Sequence, residues 1–308
     1  MSYLASTETA RQFVLDKCEY FTDVQLWPTR SGINPQRWLD NFAPNEAEHA
    51  IHLLSSFMYF SEPLVDQLLL AAFQSLSSVL PTGASAKMDA VARWRQFVDS
   101  VIVTYVTGEE PSVTDSGFTF ARKARKVLRI PESRVLSPLD TLRELLKTRR
   151  PVVFVDDFVG SGNQFVDTWH REYRLFGSTS LAFSHLAGLP GFSFAYCPLV
   201  CTDGGARQLS TRCAGLTLRP AHLLPAVYSA IHPQSIVWPP NLLQSGPEFV
   251  KAVSARIGIP DSGGAVVNDW QGFHCLGLSL AFYDSVPDAT LPIFYWEENG
   301  WNPLIKKT

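Results

Sequence analysis

An α/β fold with a mostly parallel sheet flanked by helices is predicted from three features of the sequence. Short apolar runs alternate with helical stretches from Val101 onward, the run PVVFV at Pro151–Val155 is apolar on both strand faces, and the first third of the chain carries helical spacing. A strand apolar on both faces belongs inside a parallel sheet, because crossover helices cover both surfaces. With 308 residues, 46% apolar and 18% charged, the chain can bury a large core. Three segments are expected: an N-terminal helical region over 1–96, an α/β core over 97–222, and a C-terminal tail packed on the core over 223–308.

The helices come first. Asn45 followed by Glu48 fits a capping box, after which Ala47, Ala50, Leu53, Leu54 and Phe57 recur at helical spacing. Ser61, Glu62 and Pro63 open a second helix with an apolar stripe of Leu64, Leu68, Leu69, Ala72 and Phe73. PTGAS at Pro81–Ser85 is a turn-rich break before a third helical pattern holding Val91, Trp94 and Phe97. VIVTYV from Val101, a helix from about Phe118, the PVVFV strand, a helix from about Asn163 and FSFAYCPLV from Phe192 then follow as βαβ units.

Composition excludes several classes. A formal charge of −3 argues against a whole-protein preference for nucleic acid or anionic membrane. Locally, Arg122–Arg150 holds ten basic residues against Glu132, Asp140 and Glu144. That stretch suits pyrophosphate oxygens, a nucleic acid backbone, or simply solvated helix faces. Ser178–Thr202 lacks Lys, Arg, Asp and Glu, yet His185, Gly188, Pro190 and Gly191 interrupt it, so no membrane span is expected. The amino terminus lacks the basic-then-apolar order of a secretory signal, and five cysteines, an odd number, suggest reduced thiols and a cytoplasmic location. Cys197, Cys201 and Cys213 are expected as small core residues, and His49 and His52, three apart without a third ligand, as ordinary helix residues.

Chemistry concentrates in VVFVDDFVGSGNQ, from Val152 to Gln164. Ligands of open α/β sheets bind outside the carboxyl ends of strands, where Asp156 and Asp157 fall, and the chain is expected to turn after Asp157. Gly160, Ser161 and Gly162 can curl closely around an anion while the following helix directs its first amides to the same point. A phosphate fits there. The carboxylates would repel that phosphate, so they suit the hydroxyls of an attached sugar, or Mg²⁺ bridging sugar and pyrophosphate.

The segment resembles the phosphoribosyl pyrophosphate signature of type I phosphoribosyltransferases: four apolar residues, two acidic ones, an apolar pair, and a small glycine- and hydroxyl-rich loop. The resemblance implies that Asp156 and Asp157 contact the ribose hydroxyls and, indirectly, the ligand's Mg²⁺. Phe158, Val159, Gly160, Ser161, Gly162, Asn163 and Gln164 would form the 5-phosphate loop. Gln164 departs from the family, which usually has Thr or Ser there. A second, pyrophosphate-binding loop is implied after the first core strand, where Thr114, Asp115, Ser116 and Gly117 stand with Arg122 beyond them; an ordinary helix cap uses the same residue types.

GFHCLGLSLAFYDSVPDATLPIFYW at Gly272–Trp296, with RWLDNF at Arg37–Phe42, is similar to the phosphoribosyltransferase-like family of bacterial conflict systems, several members of which are encoded beside reverse transcriptases or other phage-defence genes. The resemblance implies a C-terminal hood holding a base. Phe282, Asp284 and Tyr295 are its candidate residues, with Tyr283 and Trp296 as further stacking aromatics; packing of the tail is the plainer role for any one of them. Together these features imply a cytosolic phosphoribosyltransferase-like enzyme acting at the anomeric carbon. The alternative is a catalytically inactive nucleotide sensor whose N-terminal helices dock a defence-system protein.

Other chemistries fit poorly. VVFVDD resembles a Walker B strand, but no GxxxxGK[ST] loop exists, and Phe158 occupies the place of a dehalogenase-type second acid. No GxSxG elbow appears, and neither His170 nor His185 is assigned as a general base.

Overall fold

The computed structural model describes residues 3–29, 31–79, 87–108, 116–177 and 179–307. In chain order the elements are α1 (Tyr3–Asp23), α2 (Pro35–Leu39), α3 (Ala47–Ser55), β1 (Met58–Phe60), α4 (Glu62–Ser75), α5 (Lys87–Ser100), β2 (Ile102–Tyr105), α6 (Ser116–Val127) and α7 (Pro138–Leu145). They continue with β3 (Val152–Val159), α8 (Asn163–His170), β4 (Tyr173–Phe176), β5 (Thr179–Leu181), α9 (Phe183–Leu186), β6 (Phe194–Thr202), α10 (Asp203–Arg212), β7 (Leu216–Leu218), β8 (His222–Leu224), α11 (Ser245–Arg256) and β9 (Leu280–Phe282). The PTGAS break lies outside the described residues.

The chain divides differently from the three expected segments. Met1–Leu64 and Pro225–Thr308 make one compact unit, and Val65–Leu224 makes the other, so α5 and nearly all of α4 belong with the sheet. Aromatic burial explains the union of the two chain ends. Trp38 is fully buried, its ring stacked on Phe294 at 5.4 Å, and its indole N–H donates to the Ile293 carbonyl, which also accepts from Trp301. Asn41 and Asn302 exchange further bonds, and β1 pairs in parallel with β9. RWLDNF and the C-terminal tail, far apart in sequence, thus form one core.

At the start of α3 the expected capping box is absent. Glu46 is the N-cap without a side-chain cap bond, because its carboxylate reaches back to the Ala43 amide. His49 instead packs its ring on Phe249 and bonds Ser245.

The second unit is the α/β body. Its parallel sheet runs β2-β3-β6-β7, with β8 following β7 along the same edge of β6. β3 and β6 are buried almost throughout, as the apolar runs that open both strands require; Asp156, Asp157 and Thr202 are the buried polar residues toward their carboxyl ends. Pro198 sits within β6, but opposite the gap between β7 and β8, where a missing N–H breaks least of the ladder. The strand β3 does not turn after Asp157; Phe158 and Val159 continue it against Val200 and Cys201, and the bend falls at Gly160–Gly162.

Candidate functional site

The carboxyl end of β3 and the first turn of α8 make the site. Aromatic packing fixes them against each other: Phe165 of α8 stacks on Tyr196 of β6 at 4.1 Å and meets Phe154 of β3 edge-on, while Trp169 extends the cluster to Phe194. Each ring is almost wholly buried. Such contacts outweigh the weak propensity of an eight-residue helix, so packing holds α8 in place.

Between them, Gly162 is the N-cap of α8 at φ +85°, a left-handed conformation that disfavours other residues. The loop is braced from α10. Thr202 caps α10 by accepting from the Gly205 amide and donates to the Gly160 carbonyl at 2.6 Å. A Cβ on Gly205 would stand 2.5 Å from that same carbonyl oxygen, so only glycine permits the approach. Asn163 is held by Gln208, and its amide leans weakly on Ser161 Oγ at 3.4 Å. Among the described residues no acceptor engages the amides of Gly160, Ser161, Gly162 or Gln164. The loop therefore offers several N–H donors at a helix amino end, an arrangement suited to an oxyanion.

Beside this loop the two acids are buried, Asp156 at 3% exposure and Asp157 at 7%. Asp156 accepts from Tyr196 Oη at 2.9 Å and from the Asp157 amide at 3.0 Å, while Asp157 accepts from the Phe158 amide at 2.8 Å. The ladder skips Asp157, whose amide turns to its neighbour's carboxylate opposite the proline-interrupted part of β6. Burial, and then the adjacent Asp157 charge, push the Asp156 carboxyl well above the usual carboxylate range. Burial and Asp156 likewise push the Tyr196 phenol up. Two carboxyls and an anion-ready loop thus share one strand end.

With that geometry in view, the family model of PRTase-CE matches residues 35–307, nearly the whole chain. The chain belongs to the PRTase-CE family. This is a phosphoribosyltransferase-like family of conflict systems, as the Asp-Asp loop and the tail implied. No curated protein gives a match. Among solved structures, a hypothetical protein from Neisseria gonorrhoeae with bound ppGpp is 12% identical over 55% of this chain and 85% of its own, with a TM-score of 0.30. A resemblance that loose does not bear on this chain's ligand.

In this PRTase-CE chain the other sequence-predicted residues are placed unevenly. Thr114 and Asp115 lie outside the described residues; Ser116 and Gly117 begin α6, and Arg122 is exposed on it. Phe282 is 1% exposed with its ring stacked on Phe60, so the ring expected to stack on a base is buried against another side chain. Tyr295 is buried beneath Lys307, and Trp296 donates to the Ile257 carbonyl. Asp284 is exposed. Cys197, Cys201 and Cys213 are buried free thiols, Cys201 pushed up to about 12 by burial, and among the described residues no cluster of three or more His, Cys, Asp or Glu could hold a metal. No described helix is long and apolar enough to cross a membrane. His170 bonds the Arg212 carbonyl and His185 accepts the Ala182 amide, both local structural contacts.

Sequence reasoning missed four contributors. Tyr196 holds Asp156, Thr202 and Gly205 brace the loop, and Arg171 reaches from the end of α8 to Thr107 Oγ1 at 2.7 Å and the Gly108 carbonyl at 2.6 Å. Thr168 adds exchanges with the Thr107 backbone at 3.0 and 3.1 Å. The chain leaving β2 is thereby clamped to the helix that carries the loop. Only TDGG at Thr202–Gly205, a capping residue before two glycines at a strand-to-helix junction, offered a local signal.

Proposed function

We propose that the α/β unit binds a 5-phosphoribosyl ligand, as phosphoribosyl pyrophosphate or a nucleotide, and acts at its anomeric carbon. The 5-phosphate sits on the amides from Gly160 to Gln164, and the ribose hydroxyls face Asp156 and Asp157. The observation that carries this reading is the set of unengaged loop amides directly beyond two buried carboxyls. Reaction needs no dedicated base here: holding the sugar in place and stabilising the charge on the departing group suffice.

Magnesium fits this site as an ion brought with the ligand. Mg²⁺ commonly takes one or two carboxylates plus phosphate oxygens, and Asp156 and Asp157 are the carboxylates at hand. When bound it would neutralise charge on a leaving pyrophosphate. In the cell, this reading places the protein in the cytosol as part of a defence system, in keeping with its family.

A second reading, a catalytically silent nucleotide sensor within a defence complex docked through the N-terminal helices, is favoured by two details. Gln164 replaces the usual hydroxyl residue, and both oxygens of Asp156 already accept bonds from within the chain. Calorimetry with phosphoribosyl pyrophosphate and Mg²⁺, followed by a pyrophosphate-release assay across nucleobases, separates the two. Release supports the enzyme, and binding without release supports the sensor. Asp156→Asn with Asp157→Asn is expected to weaken binding at least tenfold; unchanged affinity refutes the ribose assignment.

A further inference from the structure

At the opposite end of the same sheet the α/β unit carries an open cleft of about 600 Å³. Ile102, the first residue of β2, and Arg150, just before β3, mark it as lying at the strands' amino ends, away from Asp156. Its size suits a small molecule. The cations lining it differ in how far they are committed. Arg134 is spent on the Val98 and Val101 carbonyls, and Lys147 pairs loosely with Glu144 at 3.5 Å. Arg143 uses Nη1 on Asp140 at 3.0 Å, yet its Nε is buried without an acceptor, and Arg150 has no hydrogen bond or ion pair among the described residues.

Among the described residues Arg150 leaves its guanidinium N–H donors unpaired at the cleft, and Arg143, its side chain 38% exposed, presents the outer part of its fork beside them. The guanidinium fork matches the oxygens of a phosphate. Asp99, Asp140 and Glu144 line the same cleft, so a run of nucleic acid phosphates would meet repulsion there, whereas one phosphate with hydroxyl or amino groups would not. We infer that the cleft is a second ligand site, taking a small phosphorylated metabolite with its phosphate on Arg143 and Arg150 and its hydroxyl or amino groups toward Asp99 and Asp140. The inference is independent of what the Asp156 loop binds.

Hydrogen exchange of the full chain, titrated separately with inorganic phosphate, ribose 5-phosphate and a single-stranded oligonucleotide, tests this. Ribose 5-phosphate is expected to protect residues 132–150, and Arg143→Gln with Arg150→Gln to weaken that protection at least tenfold while the response of residues 160–164 is unchanged. Arg143→Lys with Arg150→Lys should retain part of it. If the double Gln variant fails to fold, Arg150→Gln alone is expected to weaken protection severalfold. No protection at millimolar ligand, protection indifferent to these variants, or protection by the oligonucleotide alone overturns the inference.

Discussion

Asp156 sits where burial and charge oppose each other. Buried beside Asp157 and raised above its ordinary pKa, it is held in place by Tyr196 despite the cost of ionising there. The sign follows from linkage: a carboxyl with a folded pKa above its unfolded value contributes stability fully below the unfolded pKa, and that stability is lost as pH rises through the folded one. Asp156→Asn has no proton to lose. It is therefore expected to melt above the parent at pH 7–8, with the gain shrinking toward pH 4, as thermal unfolding across that range would show; a variant less stable at pH 8 than the parent contradicts the charge burial. The acid pair was legible in the sequence because its signal is local, two acids ending an apolar run. Tyr196 was not, because a tyrosine in an apolar strand looks like core until pairing sets it opposite Phe154 and brings its hydroxyl to Asp156.

The loop between β3 and α8 draws its shape from other elements. Gly205, on α10, has no room for a Cβ against the Gly160 carbonyl. Gly205→Ala is expected to cost about 1–3 kcal/mol in denaturant unfolding, as overpacking does, and to lower phosphate affinity with it. Arg171 presents a separate case. Arg171→Ala removes two charged bonds to Thr107 and Gly108, worth roughly 1.5–3 kcal/mol each locally, so amide exchange at 106–108 should quicken while global stability falls less. Arg171 was not legible, and TDGG marks Gly205 only as part of a helix start, since nothing near either residue in sequence names its partner some 40 to 60 positions away. The strand's extension to Val159 was also missed: the turn was expected after Asp157, with Phe158 and Val159 in the phosphate loop, but pairing with β6 is what they gain by staying extended.

Over the whole molecule, the helical and strand order was readable from periodicity, whereas the grouping of the chain ends was not. Periodicity reports which face is buried, never against what. Trp38, capped by Phe294 and bonded to Ile293, is the junction of those ends; Trp38→Ala is expected to cost about 3–5 kcal/mol in equilibrium unfolding and to loosen the first unit. The central claim concerns the α/β unit, and amide NMR during titration with ribose 5-phosphate reads it most directly. Saturable shifts at Gly160, Ser161, Gly162 and Gln164, abolished when Gly162 is replaced by a β-branched residue, are expected. Shifts confined to other parts of the chain, or none at millimolar ligand, contradict the assignment of that loop to a sugar phosphate.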